Sequence, residues 1–210
     1  MSTAHRVTTE HGLEFVHKQL RKTFKMVKQQ QLVWQEAAAE SLSLVKSLAN
    51  LGEQLQCSRL AAQEGCSDVL QQFPDLQARL EFKLLQSAEV VMTRLKSCLE
   101  TMEEVCHKHT QYSTYSLNAY HNHYREIGTA KISTGSATWP SIADMLQWSK
   151  DLSLLYRRIF AEKTWLFDTV SYDSLDEMSG LVRRWSKNNN DLTTAVNSIL
   201  SHVEFFMADG

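Results

Sequence analysis

The chain holds few residues that interrupt a helix: two prolines and seven glycines in 210 residues. Neither type occurs between Gly12 and Gly52, between Pro74 and Gly128, or between Pro140 and Gly180. A β-sandwich or a doubly wound α/β domain needs a turn roughly every ten residues, and turns draw on glycine and proline. The missing punctuation disfavours sheet-rich folds. An excess of one charge is missing too: 22 basic residues face 24 acidic ones, net −2, so no global field attracts nucleic acid. No stretch approaches the roughly 18 consecutive apolar residues of a membrane span. The polar start, Met1 to Glu10, lacks the apolar region of a secretory signal.

Cys57, Cys66, Cys98 and Cys106 show no CxxC and no zinc spacing. Reduced thiols in a cytoplasmic or nuclear protein are therefore expected. The motifs GxSxG, HExxH, GxxxxGK[ST] and GxGxxG are all absent, so ATP hydrolysis through a P-loop is not expected, nor any other catalytic role or cofactor.

Helical periodicity is what the chain does have. Leu20, Phe24, Val27, Trp34, Ala38, Val45, Leu48 and Leu55 fall on one three-four seam, with Gln31, Ser41 and Gly52 at its remaining positions. Leu42, Leu44 and Leu51 widen it, as in a bundle helix rather than a strict two-stranded coil. Glu10 and Glu14 suit the first turn of that helix. Phe73-Pro74-Asp75 reads as the next helix start. Its seam runs through Leu76, Leu80, Leu84, Val91, Leu95, Leu99, Met102 and Val105, then becomes aromatic and polar. Ser, Thr and Asn lower helix propensity over Tyr112–His123, where a fray or bend is expected. Ser141 and Asp144 form a capping-box pattern ahead of Ile142, Met145, Leu152, Tyr156, Ile159, Leu166 and Val170. An amphipathic piece around Leu175–Trp185 ends at Asn188-Asn189-Asn190, and Asp191 is expected to cap a last helix. The expectation is one all-α domain over 1–210, an elongated bundle of three long helices with coiled-coil-like seams plus one or two short C-terminal helices. Residues 1–9 are expected to be disordered, and 60–72 and 128–139 to be inter-helix loops.

Candidate chemistry is thin. Cys106, His107, His109, His121 and His123 cluster in sequence, but residues two apart on a helix point to different faces. Cys106 and His109 alone combine two ligand types at a usable spacing, so histidines on solvated or seam positions are expected instead of a metal site. Glu100, Glu103 and Glu104, with Lys96 and Lys108, read as a solvated face. Lys18, Arg21, Lys22, Lys25 and Lys28 line one helical edge with no acid between Glu14 and Glu36. Such a stripe suits phosphate or an acidic partner, or simply keeps a long helix soluble. Trp34, Trp139, Trp148, Trp165, Trp185, Phe205 and Phe206 exceed what thin helices easily cover, so at least one apolar patch should face a partner.

Several strings resemble the AIRIM family of AAA-ATPase-interacting ribosome maturation factors. They are KTFKMVKQQQLVWQ with Gln30, Gln31 and Trp34, SLANLGEQLQ (47–56), FPDLQARL (73–80), PSIADMLQWSKDLSLLYRR (140–158) and VEFFMAD (203–209). The likeness runs in order along nearly the whole chain and finds nothing at 107–138 or 171–190. It implies a non-catalytic adaptor without a cofactor, a small-molecule substrate or a membrane. Implied partners are two related AAA ATPases of the spermatogenesis-associated class and a small helical protein, CINP. Implied work is cytoplasmic maturation of the large (60S) ribosomal subunit, with release of a shuttling assembly factor. A chromatin role in replisome proteostasis is implied as well, and so residence in cytoplasm and nucleus. On this reading the matching segments make Leu76, Leu80, Met145, Trp148 and Tyr156 the candidate partner contacts. The alternative is a homodimeric coiled-coil scaffold that binds nucleic acid through the Lys18–Lys28 stripe.

Overall fold

A computed structural model describes residues 2–63, 75–136, 138–171 and 175–208. Seven helices and no strand occur among them: α1 Ser2–Gln63, α2 Leu76–Ile127, α3 Thr129–Ser133, α4 Ile142–Asp168, α5 Leu175–Ser186, α6 Asn189–His202 and α7 Glu204–Ala208. The all-α expectation holds. No helix among the described residues is long and apolar enough to cross a membrane.

Several boundaries differ from the sequence reading. Helical backbone begins at Ser2, where 1–9 was expected to be disordered, so Glu10 and Glu14 lie in the body of α1 and not in its first turn. α1 also extends to Gln63, so 60–63 are helical. Residues 64–72, with Cys66, and the expected Phe73-Pro74 helix start lie outside the described residues. α2 is helical throughout 112–123, despite its Ser and Thr content. Packing overrides propensity there: Ser116 is buried and its hydroxyl meets that of Thr23 at 2.8 Å. The 128–139 segment is not all loop, because α3 occupies part of it. Gly128 supplies the break before α3 with φ of 75°, a conformation side chains resist.

The capping box is present. The Asp144 amide donates to Ser141 Oγ at 3.1 Å, and the Ser141 hydroxyl donates to the Asp144 carboxylate at 2.6 Å. At the start of α6 the cap is Asn188, in the left-handed region with φ of 67°, and Asp191 falls in the first turn instead. Asparagine tolerates that geometry better than most residues.

The chain divides into two compact units where a single domain was expected. A helix as long as α1 carries more apolar stripe than one core can bury. The first unit comprises Met1–Gln35, Met102–Phe160 and Asn188–Gly210. Its core gathers Leu20, Phe24 and Val27 of α1, Met102 and Val105 of α2, Met145 and Ile159 of α4, and Val196 and Phe206 near the C-terminus. At its polar centre the His109 ring stacks on Tyr156 at 4.1 Å between centroids, and Tyr156 meets Trp34 edge-on at 4.9 Å. His109 Nε2 and Tyr156 Oη are buried and lack a hydrogen-bond partner among the described residues. Burial pushes the imidazole down to about 4 and raises the phenol, whose ionisation the Cys106 thiol opposes further. Both rings are neutral packing elements.

The second unit comprises Glu36–Thr101 and Ala161–Lys187. Its buried side chains include Val45, Leu48 and Leu55 of α1, Leu84, Leu95 and Leu99 of α2, and Leu166, Met178, Leu181 and Trp185. Gly52 makes room for α5: a Cβ there would stand 3.1 Å from Met178 Cε and Cγ. The Trp185 indole donates to Ser41 Oγ at 3.0 Å, and Ser41 donates to the Ala38 carbonyl. Lys163, fully enclosed, donates to the Trp185 carbonyl at 2.6 Å and stands 5.0 Å over the indole. Its amine thereby satisfies an orphan carbonyl in the last turn of α5. Burial pushes the amine down to about 8, against the opposing pull of Glu162.

Two pH profiles follow from these buried groups. A lowered amine pKa means the folded state holds that proton less tightly than the unfolded chain. The linked stability is complete above about pH 10.5 and declines as pH falls through about 8. In urea titrations the wild-type midpoint should rise from about pH 8 to pH 10, and Lys163→Met should lose that rise. His109 works in the acid range: its contribution is present above 6.5 and lost as pH falls through about 4. At about 1.4 kcal/mol per tenfold change in proton affinity, the wild type should lose about 3 kcal/mol more than His109→Phe over that interval.

Candidate partner-binding surface

The five candidate contacts do not form one surface. Met145 and Tyr156 are fully buried in the first unit, so the sequence pattern had marked core side chains. Trp148, in that same unit, is half-buried with its ring 5.5 Å from His202 of α6. Leu76 and Leu80, in the second unit, stand 44% and 45% exposed at the start of α2.

Around Leu76 and Leu80 the helix is apolar on more than one side. Leu84 and Ala88 turn inward, while Phe82 and Val90 are 63% and 59% exposed and Leu85 is exposed as well. Residues 82 and 90 fall roughly opposite 84 and 88 at the helical period, so no single neighbour can cover both sets. The end of α1 holds this segment in register. Gln77 Nε2 donates to both the carbonyl and the hydroxyl of Ser58 at 3.0 Å, and Arg59 Nε pairs with Glu81 at 3.1 Å. The exposed side chains therefore sit on a fixed scaffold. Phe82, Leu85 and Val90 were not among the sequence candidates because they lie off the three-four seam. Their signal was available only as apolar residues in excess of that seam.

The basic stripe is divided as well. Lys18, Lys22, Lys25 and Lys28 are exposed, but Arg21 is drawn inward. Its Nε donates to the Phe206 carbonyl at 3.0 Å, and its guanidinium lies 5.2 Å over Trp139 and 4.9 Å over Phe206. Those two rings and His17 meet edge to face with centroids 5.4 to 5.6 Å apart. Arg21 thus anchors α7 and takes no part in a phosphate-facing row.

The described residues hold no group of three or more metal-ligating side chains. Cys106 is buried, its thiol pushed up to about 12, and His109 is held neutral beneath Tyr156. A cleft of about 440 Å³ in the first unit is lined by hydroxyls of Thr110, Ser113, Thr114 and Ser153, by apolar side chains and by Lys150. Tyr120 and Gln147 line it too, and among the described residues no carboxylate or histidine does.

Comparison with known proteins places this architecture. The family model described as "Ribosome biogenesis protein C1orf109-like" matches residues 14–205. A mouse protein named "AFG2-interacting ribosome maturation factor" is 31% identical over 195 residues, covering 92% of this chain and 89% of its own. The human protein of that name is 30% identical over 204 residues, covering 97% of this chain and all of its own. The one from Xenopus tropicalis is 30% identical over 195 residues, covering 91% and 94%.

The different placements of the candidates carry different energetic consequences. Met145→Ala should destabilise the chain by about 2–5 kcal/mol in denaturant titrations, as removal of a buried side chain does. Leu80→Ala should stay within about 0.5 kcal/mol of wild type, as at most exposed sites.

Proposed function

The chain belongs to the C1orf109-like ribosome biogenesis family, and from that premise we propose that it is a non-catalytic helical adaptor of an AFG2-type AAA ATPase in ribosome maturation. One observation carries the reading: relatives that align over nearly the full length of both chains bear the name of AFG2-interacting ribosome maturation factors. An alignment of that extent covers both compact units and the helices that run through them. The ATPase supplies nucleotide chemistry, for which this sequence has no P-loop, and the present chain supplies shaped surface.

The finer reading follows the family resemblance. The adaptor pairs with the small helical protein CINP and with two related AAA ATPases. It serves release of a shuttling assembly factor from the large subunit in the cytoplasm, and turnover of replication-fork proteins on chromatin in the nucleus. The apolar segment at the start of α2 supports it. Leu76, Leu80 and Phe82 are exposed on a segment pinned by Gln77 and Glu81, which suits a docking surface better than a frayed end.

The test uses the full-length chain co-expressed with a tagged AFG2-type ATPase. The wild-type chain should co-purify with the ATPase and show no ATP turnover by itself. Leu76→Glu, Leu80→Glu and Phe82→Glu combined should reduce co-purification about tenfold or more with helicity unchanged, as loss of apolar anchors does. Absence of the wild-type chain from the purified ATPase would sink the adaptor reading. Retention of the triple variant would exclude this segment as the contact while leaving the adaptor reading in place.

A further inference from the structure

The solvent side of α1 in the first unit has a composition that the adaptor reading does not use. Lys18, Lys22, Lys25, Gln29 and Leu32 succeed one another at four- and three-residue steps and share one face, opposite buried Leu20, Val27 and Trp34. Lys28 flanks it. Exposed Phe15 lies at one end, and at the other Leu32, 61% exposed, is joined by Val33. Exposed Glu14 and Glu36 bracket the whole, with no acid between them. The strip from Phe15 to Leu32 is about 26 Å long at 1.5 Å per residue.

We propose that this strip is a docking site for an amphipathic helix of a protein partner, one whose central turns are acidic and whose ends are apolar. Charge complementarity sets the centre: carboxylates recurring every three or four residues on the partner would meet lysines spaced in the same way. Leu32, Val33 and Phe15 set the ends, since apolar side chains gain by burial against apolar side chains. The same two features decide against a nucleic acid. Phosphates offer nothing to Leu32 and Val33, and a backbone continuing past the lysines would meet Glu14 and Glu36. Arg21 stays out of the recognition because its guanidinium is committed to the Phe206 carbonyl. The site does not depend on the adaptor reading.

Fluorescence anisotropy with the full-length chain provides the test. The probe is a labelled synthetic helix of roughly 18 residues, with glutamates at the facing central positions and leucines at both ends, the length that matches the strip. A peptide of the same composition in scrambled order and an RNA duplex of equal length serve as competitors. The ordered peptide should bind about tenfold or more tightly than the scrambled one, as charge register and apolar ends require. Lys18→Glu with Lys22→Glu should weaken it about tenfold or more, and Leu32→Ser several-fold, with unchanged circular dichroism because all three side chains are exposed. No binding, equal binding of the scrambled peptide, or insensitivity to the charge reversal would overturn the proposal. So would an RNA duplex that displaces the peptide and is indifferent to Leu32→Ser.

Discussion

A helix running from Ser2 to Gln63 carries a seam that must be covered along its length, and the seam contains three positions that are not apolar. Each is met by a residue from the C-terminal third. In the first unit Gln31 donates to Asn197 Oδ1 at 2.7 Å. In the second, Ser41 accepts the Trp185 indole, and Gly52 leaves space for Met178. A buried polar group without a partner costs free energy, and a gap in a core loses contacts. The positions that look like defects in the seam of α1 are therefore the sockets that seat the C-terminal helices. Arg21, reaching the Phe206 carbonyl from the edge of that helix, does the same for α7.

The titratable groups enclosed along with those sockets are pushed towards their uncharged forms by burial. His109, Tyr156, Cys106 and Lys163 are the groups one would ordinarily suspect, and burial moves each towards its neutral form. Desolvation is the first cause of the shift in each, ahead of the charges of Arg157 and Glu103 near Cys106 and of Glu162 near Lys163. Perturbed groups often mark active sites, but here they mark dense packing around polar groups retained in a core. Two surfaces stand out beside these interiors: the apolar start of α2 in one unit and the lysine-bearing face of α1 in the other.

Much of this was legible in the residues. Sparse prolines and glycines with three-four periodicity were enough for an all-α chain, and Ser141 with Asp144 marked the start of α4. The cap at Asn188 was displaced from the expected Asp191 because a left-handed residue and an acidic first turn look alike in sequence. The surface was harder to read. Met145 and Tyr156 share the apolar character of Leu76 and Leu80, yet the first pair is enclosed and the second is open. Phe82 and Val90 lay outside the seam and drew no notice, although they are more exposed than the candidates that did.

The sequence by itself determined the helical class, the main breaks, the absence of nucleotide motifs and the family. Those depend on local backbone preference, periodicity and residue order, all of which are written along one dimension. Only the tertiary structure decided which apolar side chains became interior, that Arg21 serves α7 and not a ligand, and that Gln31, Ser41 and Gly52 are sockets. Those outcomes depend on which helix arrives from a hundred or more residues away. Seam position tells a side chain which way it points, and its distant neighbours determine whether anything meets it there.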